Sequence, residues 1–219
     1  MPTPYNFNLG LRDLGYLGDA TQEEVQREPM LYRADLNFAE NRGGSLVKRV
    51  LPWLDKQWPW LWNHVSIDVK TVMLQPGWYP CIPGWHLDDF WRPEGQPAIS
   101  ALGKHPSYHF MAVFGNNSLT EFLLRPKAMP LFEGLNNGRA VYGRYNAWIE
   151  RAENKLVKRI AAGHLYEFSC LDFHRGMPAT EAGWRCFVRA TFSDHREPKN
   201  LIRSQVQVYV PETLLEAGW

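Results

Sequence analysis

From His64 onward the apolar residues repeat with a period of two, and that period limits what the chain can fold into. Val65, Ile67 and Val69 alternate with Ser66, Asp68 and Lys70, and Thr71-Val72-Met73-Leu74 extends the run. Alternation of this kind puts successive side chains on opposite faces of a strand. Strand-like runs recur at Tyr108 to Gly115, Ser118 to Leu124, His164 to Phe168, Trp184 to Phe192 and Ser204 to Val210. Asn116-Asn117 reads as the turn of a hairpin, and Pro126 to Gly138, rich in Pro, Gly and Asn, reads as a loop. Tyr145 to Lys158 has helix-favouring composition, while Lys155 to Ala161 fits either a helix or a strand.

Before His64 the period is helical. Thr21 to Arg27 is a short polar helix with Thr21 as cap and Glu24 three residues on. Ser45 to Trp62 reads as a second helix, with Leu46, Val47, Val50, Leu51 and Leu54 as its apolar stripe and Ser45 as a plausible cap. Pro52 and Pro59 should break or kink it. Trp53, Trp58, Trp60 and Trp62 then pack it against a sheet. The expected architecture is mainly β with flanking helices in one domain over 1–219. Residues 1–63 form a helical flank and 64–210 the core. Helices first and strands after suit a closed or double-sheet antiparallel core, as in jelly rolls and cupins.

Composition narrows the partners. Lys and Arg number 24 against 23 Asp and Glu, a net charge of +1, so no global field recruits nucleic acid or an acidic membrane. Cys81, Cys170 and Cys186 form no CxxC, and an odd count points to reduced thiols in the cytoplasm. Met1-Pro2-Thr3-Pro4 does not resemble a signal peptide. No apolar run approaches the length of a membrane span. The expected partner is a small molecule.

The chemistry concentrates in Gly84-Trp85-His86-Leu87-Asp88-Asp89-Phe90-Trp91. His86 and Asp88 are two residues apart, so on an extended strand imidazole and carboxylate point the same way. A distant second histidine would complete a two-His-one-carboxylate set, which leaves metal positions open; His174, placed at a strand end before a turn-rich segment, is the candidate. Arg185 follows it eleven positions on, and Arg185, Phe187 and Arg189 share one strand face. Two arginines on an apolar strand face need a counter-charge. A dicarboxylate could supply it through bidentate bonds; pairing with Asp or Glu is the alternative.

His86-x-Asp88, His174 and the arginine at +11 resemble the Fe(II)/2-oxoglutarate-dependent dioxygenase superfamily. Trp85-His86-Leu87-Asp88 is similar to the Trp-His-x-Asp of its taurine dioxygenase-type members. Arg185-Cys-Phe-Val-Arg189-Ala190-Thr191 is similar to their Arg-x-x-x-Arg-Ala-Thr strand, and phytanoyl-CoA hydroxylase-like members share the +11 arginine. The resemblance spans roughly residues 65–192. It implies a double-stranded β-helix holding Fe(II) on His86, Asp88 and His174. The cosubstrate 2-oxoglutarate would sit on Arg185 and Thr120, and O₂ would take a remaining metal position. Arg189 would hold the cosubstrate's C1 carboxylate or an anionic substrate group. The implied outcome is hydroxylation of a small molecule or nucleobase, with succinate and CO₂ released. Trp85, Asp89, Trp91, Arg92 and Tyr79 would line the substrate mouth, with His105 and His109 nearby. His195-Arg196-Glu197 reads as a surface turn. Two rivals keep the barrel: a cupin-like binding protein without oxidative activity, and a metal-dependent oxygenase that does not use 2-oxoglutarate.

Overall fold

The computed structural model describes residues 4–54, 62–89, 107–132 and 138–210. In chain order the elements are β1 (Pro4–Asn6), β2 (Arg12–Tyr16), α1 (Gln22–Arg27), β3 (Leu31–Tyr32), α2 (Leu36–Arg42), α3 (Ser45–Leu54), β4 (His64–Leu74) and β5 (Tyr108–Phe114). They continue with β6 (Thr120–Arg125), β7 (Ala128–Pro130), α4 (Gly138–Arg151), β8 (Leu156–Arg159), β9 (His164–Ser169), β10 (His174–Gly176), β11 (Gly183–Ser193) and β12 (Leu201–Ile202). The fold is mainly β. A five-stranded antiparallel sheet runs β2-β9-β5-β11-β4, and a three-stranded one runs β10-β6-β8. No closed barrel forms among the described residues. No helix among them is long and apolar enough to cross a membrane.

The large sheet is built on β4 and β11, which pair from Gly183↔Leu74 to Ser193↔His64. One face presents Ile67, Val69, Val188 and Ala190 to Val25 of α1 and to Leu46, Val47, Val50 and Leu54 of α3, all buried. Burying each of the Val, Leu and Ile side chains is worth roughly 1.5–3 kcal/mol, and this face is one core of the protein. The opposite face carries Asp68, Lys70, Arg185, Phe187 and Arg189 into a cavity. The alternation read from sequence therefore separates core from cavity rather than core from bulk water.

Several expectations are corrected. The Tyr108–Leu124 hairpin does not form: β5 and β6 lie in different sheets. Gly115, at φ +99°, passes so close to Trp184 that a Cβ would lie 2.4 Å from its carbonyl oxygen. Asn117 is tied down by its Nδ2 donating to the Gly183 carbonyl at 2.9 Å, so the turn carries the chain from one sheet to the other. The loop expected over 126–138 contains β7, which pairs with β1. The flank over 1–63 is not only helical, because β1, β2 and β3 each complete a sheet with a strand from beyond residue 64. Residues 204–210 form no strand. A single bridge, Tyr79↔Tyr209, ties them down while Val206 and Val208 pack on Val72 and Leu74. Within Lys155 to Ala161, residues 156–159 are strand β8, so the preceding helix ends at Arg151 rather than near Lys158.

The helix ends follow capping chemistry. Thr21 and Glu24 form the expected capping box on α1. Pro52 does not break α3; it sits near the end of the helix, where one backbone bond is lost while the buried stripe continues to Leu54. Pro59, Trp58 and Trp60 lie outside the described residues. Ser45 is not the cap of α3. The buried Glu28 carboxylate accepts from the backbone N–H groups of Gly44 and Leu46 at 2.8 Å each and of Val47 at 3.4 Å. An anion against these free N–H groups is favourable, and Ser45 Oγ instead donates to Glu24.

Candidate metal centre

His174 opens β10 rather than closing the preceding strand, and β6 fixes it with His174 opposite Phe122 and Gly176 opposite Thr120. On its other side it makes an antiparallel bridge to His86. The His86 N–H donates to the His174 carbonyl at 3.0 Å and the reverse bond is 3.1 Å. His86 and Asp88 do not lie on a regular strand. Only His86 is bridged, and the chain bends at Asp88 and Asp89, the latter at φ +48°. What holds this segment is α4. Asn146 Oδ1 accepts from the Trp85 N–H at 2.7 Å, and its Nδ2 donates to the Trp85 carbonyl at 3.0 Å. A side chain at Gly84 (φ +93°) would collide with that amide.

The side chains converge from this frame. One ligand atom each from His86, Asp88 and His174 lies within 4.8 Å of the other two. His86 Nδ1 is 2.9 Å from the Gly84 carbonyl and His174 Nδ1 is 3.0 Å from that of Asp172. A carbonyl can only accept, so each Nδ1 carries hydrogen, and both Nε2 atoms are left for the cluster. Asp172 is itself fixed, accepting from Gly10 and from Ser169. Phe122 stacks on the His174 ring at 5.2 Å, and Phe168 meets it edge-on at 5.2 Å. Two imidazole nitrogens and one carboxylate could bind a metal ion, a donor set that suits Fe(II) among others. The Asp88–His174 contact of 3.2 Å is the one that such an ion would replace.

Electrostatics keep His86 and Asp88 in metal-ready forms. Burial, then the neighbouring His174, pushes the His86 pKa down to about 4. For Asp88, burial works against ionisation. The Arg189 guanidinium and His174 outweigh it and hold the carboxyl well below the usual range. Arg189 donates to Asp88 and reaches Asp68 at 3.4 Å. Asp68, 1% exposed, also accepts from Arg196 at 2.6 Å and from Arg203 at 3.0 Å. Burial alone would raise its pKa; the three arginines lower it.

The cluster opens into a cavity of about 220 Å³ that also contains Thr120, Arg185 and Arg189. Arg185 is 4% exposed, and its Nε donates to the Ser118 carbonyl at 2.7 Å. No carboxylate pairs with it among the described residues, and burial lowers its pKa. Thr120, also buried, borders the same space. Arg189, by contrast, already has two carboxylate partners.

The expected mouth residues scatter. The indole of Trp85 is 0% exposed, under the Arg175 guanidinium at 4.4 Å and donating to Glu150 at 3.0 Å. The side chain belongs to the core with Phe7, Tyr145 and Phe173, while the residue also borders a second cavity beside the first. Tyr79 bridges to Tyr209 and borders neither of these two cavities. Asp89 is buried against Arg196 at 3.7 Å and His195 at 3.4 Å. Trp91, Arg92 and His105 lie outside the described residues. His109 is fully buried with Nδ1 3.1 Å from Thr191 Oγ1, a core histidine. The bend at His195 is exposed, as expected of a surface turn, but Arg196 folds back to Asp68.

Sequence reading missed Asp68, Lys70, Arg196 and Arg203 as cavity residues. The available signal was the polar half of β4, Ser66, Asp68 and Lys70. Only the register with Arg189 and Arg185 shows that it faces a site.

The fold and the cluster define a β-rich protein with a candidate mononuclear metal centre. No protein-family model matches the chain. No curated protein matches it in sequence. Among solved structures, the crystal structure of AviO1 from Streptomyces viridochromogenes Tue57 is similar at a TM-score of 0.44 and 11% identity. It covers 89% of this chain and 93% of that one. That likeness carries no functional inference.

Proposed function

We propose that the protein is an Fe(II)/2-oxoglutarate-dependent oxygenase. Its two main sheets would be the halves of a double-stranded β-helix in a single domain, and it would hydroxylate a small-molecule or nucleobase-type substrate. The observation that carries the reading is Arg185. It is a buried cation without a carboxylate partner among the described residues, in the same cavity as two imidazoles and a carboxylate within 4.8 Å. A buried charge is costly unless met, and a dicarboxylate that also reaches the metal meets it.

His86, Asp88 and His174 would hold the iron, which when bound supplies oxygen activation coupled to decarboxylation of 2-oxoglutarate to succinate. Arg185 grips the far carboxylate of the cosubstrate as a planar fork, and the Thr120 hydroxyl adds a neutral contact. Arg189 keeps Asp88 ionised and aligned. Phe122 and Phe168 pack against the His174 ring and keep water from it.

Anaerobic titration of Fe(II) and 2-oxoglutarate into the metal-free protein tests this through the visible metal-to-ligand charge-transfer band. A band in the wild type that weakens in Arg185→Ala is expected. Tight Fe(II) binding without a band would favour an oxygenase that does not use 2-oxoglutarate, and no iron binding would leave a binding protein.

A further inference from the structure

A second cavity, of about 430 Å³, adjoins the first, and Lys70, Cys81, His86, Asp88 and Arg203 border both. The inner one is below the usual size of a small-molecule site, whereas the outer one falls within it. On the reading above the inner cavity takes the cosubstrate and the outer one the substrate.

The charges around this junction do not balance. Arg189, Arg196 and Arg203 are met by Asp68, Asp88 and Asp89. Arg185 and Lys70 are left without an ion pair among the described residues. Asp88 acts on Lys70, but burial, Arg189 and Arg203 outweigh it and push the ammonium pKa down, a cost that a bound anion would relieve. A divalent metal and a cosubstrate dianion cancel each other, so loading the site leaves the surplus in place. Arg185 faces only the inner cavity, whereas Lys70 faces both. On the sheet Lys70 stands opposite Phe187, one row from the Asp68–Arg189 pair and one from Arg185. Cross-strand rows on one face are roughly 7 Å apart. Lys70 thus lines both cavities beside His86 and Asp88, whereas Arg185 lines the inner one alone.

Resting on the 2-oxoglutarate reading, we infer that the substrate carries an anionic group, a carboxylate or a phosphate, which Lys70 binds where the two cavities meet. The ammonium is a point charge with three donors and suits either anion. Arg203, already turned toward Asp68, borders the same space and strengthens the field there.

The test titrates methyl phosphate in one arm and acetate in another into protein loaded anaerobically with Fe(II) and 2-oxoglutarate. Heat and the charge-transfer band are followed together. Uptake of one anion per chain with the band retained is expected in at least one arm, and the arm that responds identifies the group. In Lys70→Met the anion affinity should fall about tenfold or more while the band stays; Lys70→Gln replaces it if that variant does not fold. The inference is overturned if neither anion binds, if Lys70→Met binds as the wild type does, or if the anion abolishes the band, which would make Lys70 part of the cosubstrate site. Absence of a band in the unliganded wild type sinks the cosubstrate reading instead. The same anion titrations on metal-free protein then decide for or against Lys70.

Discussion

His86 and His174 face each other across an antiparallel bridge, each N–H donating to the other's carbonyl at 3.0 and 3.1 Å. The bridge joins residues 88 positions apart and sets both rings in one orientation, with Nδ1 tied to a backbone carbonyl. Removing either ring should therefore abolish metal binding without disturbing its partner. Changing a group that only orients a metal ligand typically costs 10–100-fold in metal affinity, so losing a ligand itself in His174→Ala should cost more than about 100-fold by calorimetry with Fe(II) or Zn(II). Wild-type affinity in that variant would mean that the cluster is not a metal site.

Arg185 should be a functional residue held at the expense of stability. Replacing a buried uncompensated cation with an apolar chain relieves its desolvation. Arg185→Met is expected to be as stable as the wild type or more so, by about 1 kcal/mol, in urea denaturation of the cosubstrate-free protein. A loss above about 3 kcal/mol would assign Arg185 a structural role.

Arg189 should behave in the opposite way. It pairs with Asp88 and Asp68, and its removal strands charge in a buried setting. Arg189→Met is expected to cost about 3 kcal/mol of stability. Fe(II) should restore part of that loss, since a metal on Asp88 supplies the missing positive charge. Equal stability of variant and wild type without metal would show that these pairs contribute nothing.

Acid should destabilise the metal-free protein well above the range of the carboxylates. Burial pushes His109 down to about 3, with Arg189 adding to the shift. Between an unfolded value near 6.5 and about 3 the unfolded chain binds a proton that the folded chain refuses, so stability falls as pH falls through that window. One such group contributes about 1.4 kcal/mol per pH unit. His109→Asn should flatten the wild-type decline between pH 6 and 4 by about that slope, measured as denaturation midpoints, while His86 keeps a share of it. An unchanged slope would mean that His109 is not buried as a neutral ring.

The metal-ligand candidates were legible because their chemistry is local in type even though it is distant in sequence. His-x-Asp, a later His and an Arg at +11 need no coordinates to notice. The partners of the arginines were not legible. Asp68 collects Arg189, Arg196 and Arg203 from 121, 128 and 135 positions away. No spacing rule links such residues; a shared register and a turn folded back onto a sheet do.

By itself the sequence determined the period-two strands, the short capped helix at Thr21 and the donor set at His86, Asp88 and His174. These follow from residue type and from periods that a few neighbours define. Only the tertiary structure decided which face of β4 is core and which is cavity, that β5 and β6 part into different sheets at Gly115, that Trp85 is interior, and that Glu28 caps α3. Each of those depends on what a segment meets across space, where burial and unmatched charge, rather than local propensity, set the free energy.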